Sequence, residues 1–326
     1  MILTQTPLRV SLFGGGTDYP EWFMKNEGTV LGMAINKYVY VGLHAMHPGQ
    51  ESRFRVQYSK IDDCQEIVQI KHPAVRAALQ YYGVDTPLEL HCFGEMPGRS
   101  GLGSSSSFCV GLLKALQEHL NLPRLESSLA LASEAISFER HMIPETVGFQ
   151  DQIFAAVGGL NYITFNKTES AVQQLKLPPE RLRELEQSLV LVYAGGMRDA
   201  HVMAEKQVVA IPNNDTTLER MLWLAQEAKT VLLNENKPLC AIGQMLDATW
   251  QLKRALCNGI ASPEVDALYH KGLRLGAIGG KLLGAGGGGF MLFFVPPERD
   301  CEFERGIGSL CVGFKISQHG CRTVPL

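Results

Sequence analysis

Between residues 88 and 96 the chain reads LELHCFGEM, with Leu88, Leu90 and Cys92 alternating against polar neighbours. A few residues later the period changes, and Cys109, Leu112, Leu113, Leu116 and Leu120 recur at helical spacing. Alternation predicts a strand with one buried face, and a period near 3.6 predicts an amphipathic helix. The same two rules divide the rest of the chain. Residues 1–13, 29–45 and 54–59 read as strands, the second rich in β-branched and aromatic residues. Helical periods run through 125–141 and, briefly, 150–159, where glycines close the pattern. LNYITF and LVLVYA are further strands. From about Leu218 three long helical patterns follow, near 217–235, 239–258 and 263–275. A glycine stretch then enters the apolar run GFMLFFV, and a helix near 298–311 and a final strand complete the chain. Strands dominate early and helices late, which predicts an α+β protein of two lobes, residues 1–186 and 187–326.

The junction at 95–116, EMPGRSGLGSSSSFCVGLLKAL, sets a glycine-and-serine loop at the head of a helix. A helix N-terminus carries unpaired N–H groups and a partial positive charge, so it favours an anion. Gly98, Gly101 and Gly103 let the backbone approach closely, and Ser104 to Ser107 add hydroxyl donors. A triphosphate fits this description, and so does a serine-capped helix after a flexible turn. The loop is neither a Walker A motif, lacking Gly-Lys-Ser/Thr, nor a dinucleotide fingerprint, whose glycine spacing differs. Two more glycine turns accompany it. PLRVSLFGGGTDYPEW (7–22) sets Arg9 and Asp18 on either side of one, and GAIGGKLLGAGGGGF (276–290) carries Lys281.

Composition narrows the possibilities. A chain of 326 residues suggests about two domains. A net charge of −3 offers no general basic surface to nucleic acid, and no polybasic run marks a membrane surface. An anionic ligand must therefore be held by a local site. The N-terminus lacks a basic head before a long apolar stretch, and the longest apolar run is too short to span a bilayer, so a cytoplasmic protein is expected. Eight cysteines are scattered without a C-x-x-C pair, and the histidines show no ligand spacing, which reads as reduced structural thiols.

The three glycine stretches, in this order, resemble the three motifs of the GHMP family of small-molecule kinases, over nearly the whole chain. Pro97 to Ser105 match the family's Pro-x-x-x-Gly-Leu-Gly-Ser-Ser loop. Within the family, TPLRVSLFGGGTDYPEW, VGFQDQIFAAVGGLNY and KLLGAGGGGF are similar to the D-glycero-D-manno-heptose 7-phosphate kinase branch. The resemblance implies a first lobe like a domain of ribosomal protein S5 and a ferredoxin-like second lobe. It implies ATP and Mg²⁺ as cofactors and a sugar phosphate as acceptor, with no nucleic-acid or membrane partner, in a monomer or homodimer.

The resemblance also assigns residues. Pro97, Gly98, Gly101, Leu102, Gly103, Ser104, Ser105 and Ser106 would hold ATP. Asp151 matches the catalytic aspartate, as general base or as electrostatic partner of the acceptor hydroxyl. Arg9 is similar to the arginine that galactokinase-like members set beside that aspartate. Glu139 resembles the magnesium-binding glutamate, with Ser105, or as second choice Ser104, as its hydroxyl partner, although Glu134 and Glu145 stand nearby. Galactokinases carry Gly-Glu-His-Thr-Asp-Tyr where this chain has GGGTDY. Gly15, Gly16, Thr17 and Asp18 are therefore expected to bind substrate, in a turn suited to an acceptor that already bears phosphate. Arg198 could clamp a second phosphate or simply begin a solvated helix, and Lys281 sits where the third motif closes near the phosphates. Fucose, galactose or a uronic acid remain alternative acceptors. A sensor that binds without catalysing is disfavoured by the intact Arg9, Glu139 and Asp151.

Overall fold

A computed structural model of the protein describes residues 1–47, 49–123, 125–143, 146–196 and 200–325. The first part of the chain builds β1 (Ile2–Phe13), the single turn α1 (Pro20–Phe23), β2 (Gly28–Ala45), β3 (Phe54–Gln57), β4 (Ile61–Cys64), α2 (Pro73–Tyr81), β5 (Leu88–Gly94), α3 (Ser104–His119), α4 (Ser128–Met142), α5 (Gln150–Val157), β6 (Leu160–Phe165), β7 (Ser170–Gln174) and α6 (Pro179–Ser188). The second builds β8 (Leu189–Gly195), α7 (Ala200–Ala210), α8 (Asp215–Leu233), α9 (Ala241–Leu256), α10 (Pro263–Arg274), β9 (Gly279–Leu282), β10 (Gly289–Phe294), α11 (Asp300–Ile307), β11 (Cys311–Val312) and β12 (Arg322–Thr323).

The first sheet runs β12-β1-β2-β5-β3-β4, with β6 and β7 branching from β2. The long β2 makes this possible: its N-terminal half pairs with β6 and its C-terminal half with β5, while β1 lies along its other edge. All these pairs are antiparallel, and only β3 and β5 run parallel. Helices α3 and α5 pack on β1 and β2. Alternation sends Leu8, Val10 and Leu12 to one face of β1 and Arg9 and Ser11 to the other. Both faces are buried, because α8 and α9 of the second lobe also pack against β1.

In the second sheet the order is β11-β8-β10-β9, every pair antiparallel. Read along the chain this is β-α-β-β-α-β with the strands in the order 4-1-3-2, the ferredoxin-like arrangement. The first crossover is enlarged to four helices, α7 to α10. The expected division at residue 186 falls inside α6, and β12 returns to pair with β1, so the chain's end belongs to the first sheet. One hydrophobic cluster joins the two lobes, from Leu8 and Val10 to Trp250 and Phe293.

Most expected elements are present. α1, β4, α2, β7 and α6 were not foreseen, and α7 only as the solvated helix that Arg198 could begin. The last helix is shorter than the expected 298–311, because it stops at Gly308, whose φ of 68° is left-handed. Among the described residues no helix is long and apolar enough to cross a membrane.

Helix α9 reaches the second sheet through glycine. A Cβ at Gly279 would lie 2.0 Å from the carbonyl oxygen of Gly243 and 3.0 Å from the Cβ of Asp247. Gly279→Ala must therefore push α9 off β9. It is expected to destabilise the protein by about 1–3 kcal/mol in urea unfolding, the usual penalty of overpacking. An unchanged midpoint would refute the close approach.

Candidate active site

The chain leaves β5, passes Pro97 and Gly98 on the exposed outside of the loop, and turns inward at Ser100. Gly101 and Gly103 have φ of 79° and 75°, conformations that side-chain-bearing residues avoid. Gly103 is the N-cap of α3 and supplies no side chain to cap it. The first-turn N–H groups are left to solvent or ligand, and Ser104, Ser105 and Ser106 line a cavity of about 260 Å³ between the lobes. An uncapped 16-residue helix pointing into a cavity suits the phosphates of ATP. Leu102 is wholly buried and contributes its carbonyl, which accepts a 3.0 Å hydrogen bond from the Arg9 amide.

Arg9 occupies the centre, 5% exposed. Its Nε donates to Asp151 Oδ1 at 2.8 Å and its Nη2 to Oδ2 at 2.7 Å, while Nη1 donates to the Gly101 carbonyl at 2.5 Å. Asp151 lies in the first turn of α5, where an acid is favoured, and lines the cavity. Sequence reasoning thus paired the right two residues, and the geometry adds that the pairing is bidentate.

Glu139 is buried on α4, with Ser106 Oγ donating to its Oε2 at 3.0 Å. Ser106 is thus hydrogen-bonded to Glu139, while Ser105, expected to share the magnesium ion with it, lines the cavity. Ser106 shares the buried face of α3 with Cys109 and Val110, whereas Ser105 is exposed at the cavity. The competing Glu134 is engaged elsewhere, by the hydroxyl of Tyr82 at 2.6 Å and Gln117 Nε2 at 2.5 Å. Glu145 and Arg198 lie outside the described residues. A hydroxyl and a carboxylate beside the helix N-terminus are a hard-oxygen set that fits Mg²⁺.

Asp18 is 1% exposed and accepts from Gly16 N at 3.0 Å, Gln150 N at 3.3 Å and Gln150 Nε2 at 3.0 Å. Burial pushes its carboxyl above the ordinary value, with the Asp151 charge adding to the rise and the Gly16 and Gln150 hydrogen bonds opposing it. Gly15, Gly16 and Asp18 line the cavity. Thr17 does not: its hydroxyl donates to the carbonyls of Gly14 and Thr29 at 2.8 and 2.9 Å and holds the turn from behind. Sequence reasoning missed Gln150 and Gly148. A Cβ at Gly148 would come 2.1 Å from Asp18 Oδ2.

The second lobe supplies two lysines. Lys281 Nζ, from β9, donates to the carbonyls of Ser11 and Leu12 at 2.8 and 2.9 Å. Lys253 Nζ, from α9, donates to those of Leu282 and Gly284 at 3.0 and 2.5 Å. Both line the cavity and both are buried. Lys253 was missed, although the sequence held a signal: it falls in phase with the buried stripe Ile242, Leu246, Trp250, Leu256. Outside the cavity lining, His44, Glu89 and His91 meet on the first sheet, a proximity their spacing did not announce. Arg55 Nε at 3.8 Å from Glu89 already sets a cation there.

A phosphate-ready helix end, an aspartate held by an arginine, and cations from both lobes define a small-molecule phosphotransferase. The comparisons agree. The family description "GHMP kinases N terminal domain" matches residues 68–159 and "GHMP kinases C terminal" matches residues 235–304. The chain is 31% identical over 317 residues to a D-glycero-alpha-D-manno-heptose 7-phosphate kinase from Campylobacter jejuni, covering 91% of this chain and 90% of that protein. It is 28% identical over 316 residues to a bifunctional fucokinase/GDP-fucose pyrophosphorylase from Arabidopsis thaliana, covering 88% of this chain and 29% of that one. The crystal structure of a D-glycero-D-manno-heptose 1-phosphate kinase from Bacteriodes thetaiotaomicron superimposes with a TM-score of 0.80 at 23% identity, covering 100% of this chain and 99% of that one. Lactococcus lactis galactokinase complexed with galactose superimposes with a TM-score of 0.75 at 18% identity, covering 99% and 95%. The chain belongs to the GHMP kinase family, ATP-dependent phosphotransferases that act on alcohol groups.

The Lys253 amine gives this site a pH signature. Burial, and after it the charge of Arg9, lowers its pKa from 10.5 to about 7. Between those values the unfolded chain holds a proton that the folded chain lacks, so stability rises with pH. The Lys253 share of that rise from pH 7 to 9 is about 2 kcal/mol. Urea unfolding across that range should show the rise, and Lys253→Met should flatten it. Equal slopes in the two proteins would refute the shift.

Proposed function

We propose that the protein transfers the γ-phosphoryl group of ATP to the anomeric C1 hydroxyl of D-glycero-D-manno-heptose 7-phosphate, giving the 1,7-bisphosphate for nucleotide-activated heptose synthesis. The observation that carries the transfer chemistry is the bidentate Arg9–Asp151 pair, in one cavity with the uncapped start of α3. The acceptor is supported by the 31% identity to a heptose 7-phosphate kinase over nearly the full length of both chains.

In this reading the amides and hydroxyls of Gly101 to Ser106 hold the triphosphate. Arg9 orients Asp151 and faces the developing charge, and Asp151 accepts the hydroxyl's hydrogen bond and its proton as the new O–P bond forms. Asp18 takes an acceptor hydroxyl at the cavity wall. The bare turn of Gly15 and Gly16 leaves room for a phosphorylated sugar, with Lys281 as a further cation. Ser106 and Glu139 would hold Mg²⁺, which supplies charge neutralisation at the phosphates. The two lobes divide within α6 near residue 186, and the enzyme works in the cytoplasm as a monomer or homodimer.

Three measurements test this. ATP consumption should be strong with heptose 7-phosphate and weak with galactose, fucose and mevalonate. Asp151→Asn should lower kcat by about 10²–10⁴ while leaving ATP binding intact. Comparable turnover of an unphosphorylated sugar would overturn the acceptor, and an active Asp151→Asn would overturn the role of the aspartate. Glu139→Gln is expected to raise the Mg²⁺ concentration for half-maximal rate about tenfold or more. An unchanged Mg²⁺ requirement would remove Glu139 from the metal site.

A further inference from the structure

A lysine in the middle of a helix's buried stripe calls for a reason, since lysine is almost never fully buried without a partner. Lys253 is 7% exposed, and the stripe around it, from Ile242 to Leu256, is otherwise apolar apart from Thr249. Two of its three N–H groups go to the carbonyls of Leu282 and Gly284, on the third glycine motif. The amine also lines the cavity that holds Arg9, Asp151 and Ser106. Lys281 is anchored in the same way, by two carbonyls of β1, and faces the same space. Among the described residues neither lysine forms an ion pair with a carboxylate.

The charge count of the cavity is therefore uneven. Among the described residues, Arg9, Lys253 and Lys281 face it from β1, α9 and β9 and Arg99 from the exposed part of the loop before α3, against Asp18 and Asp151, and Arg9 already matches Asp151. Among the described residues, Arg9, Cys257 and Lys281 act on the charge of Lys253. Arg9 opposes its charge, and Cys257, one turn along α9, favours it. Lys253 in turn opposes the charge of Lys281, whose pKa burial already lowers well below the ordinary value. Buried cations without acids to match them mark a place made for an anionic ligand.

We propose that Lys253 is a ligand-contacting residue of the transfer step, bringing the remaining N–H of its amine from the second lobe to the phosphoryl group in transit, opposite Arg9. The amine bonds the carbonyls that shape the Gly284 loop, so the loop and the charge it presents move as one. This rests on the phosphotransferase reading, but not on the identity of the acceptor.

The test follows from proton linkage. An anion beside Lys253 favours its charged form, so binding above pH 7 takes up protons. Titrating the protein with a non-hydrolysable ATP analogue and Mg²⁺ at pH 8, in two buffers of different ionisation enthalpy, should show net proton uptake. In Lys253→Arg, which stays charged throughout, the uptake should fall by about one proton. With the preferred acceptor, kcat/KM of the native enzyme should decline above about pH 7, and the arginine variant should shift that decline upward. Lys253→Met should lower kcat about a hundredfold and change KM less than about threefold. A lysine that merely straps the glycine loop predicts equal uptake in native and arginine proteins and an unmoved pH profile, and either result overturns the proposal. Absence of uptake by the native protein overturns it without any variant. The analogue titration needs no acceptor, so a wrong sugar assignment would leave this readout intact.

Discussion

The bidentate contact between Arg9 and Asp151 is the interaction on which the other positions depend. Burying two charges costs several kcal/mol each, and only good geometry with further hydrogen bonds offsets that cost. Both conditions are met: the guanidinium meets the carboxylate fork to fork, and its remaining arm is taken by the Gly101 carbonyl. Three pieces of chain are fixed by that one group. β1 carries it, in register with β2 at Ala34; the glycine loop before α3 is held through Gly101 and Leu102; and the start of α5 is held through Asp151. Breaking such a pair by removing one partner costs about 3–5 kcal/mol, because the other charge stays buried. The pair is therefore the pivot of the first lobe, and in the proposed reaction it is the chemistry of the cavity as well, so that substitutions there would change stability and rate together.

The second lobe is joined to this pivot by amines. Lys281 reaches across to the carbonyls at the end of β1, where the strand gives way to the glycine turn of the first motif. Lys253 does the same within its own lobe, holding the carbonyls on either side of Leu283. These bonds tie down backbone carbonyls of β1 and of the third glycine motif, which makes the lysines structural even in the free protein. They are also costly, since burial drives both toward their neutral forms. Stability spent on buried cations facing an open cavity is the trade expected at a functional site.

Much of this was legible in the sequence. The strands of β1, β2 and β5 and the helices α8, α9 and α10 carry long, clean periods, and three glycine stretches in order marked the family. The elements that escaped are short or have mixed faces. α2 spans nine residues behind a proline, and β7 has no buried residue at all. α6 is mostly polar, with Arg181 buried among the carbonyls of α8's end rather than an apolar stripe. The place of the candidate site was legible through the three motifs, since Arg9, Asp18, Asp151 and Lys281, which they named, all line one cavity. It was less so where helix phase decides which side chain faces which way. Ser105 and Ser106 are indistinguishable as letters, and only the inward face of α3 selects Ser106 for Glu139. Thr17 carries a hydroxyl suited to substrate, yet the turn uses it internally.

The glycines of the second and third motifs have a single explanation that neither motif shows alone. A Cβ at Gly284 would lie 2.6 Å from Gly101 Cα, and one at Gly101 would lie 2.7 Å from the Leu283 carbonyl oxygen. The Phe290 amide donates to the Ser100 carbonyl at 3.1 Å, so the two loops, far apart in sequence, pack backbone against backbone. This contact sets the third motif directly against the loop that Arg9 anchors, and brings Lys253, bonded to Gly284, into the same cavity as Asp151. Phosphate binding alone would not require so many glycines in the third motif. Backbone packing does, and it converts three separated sequence signals into one cavity lined from both lobes.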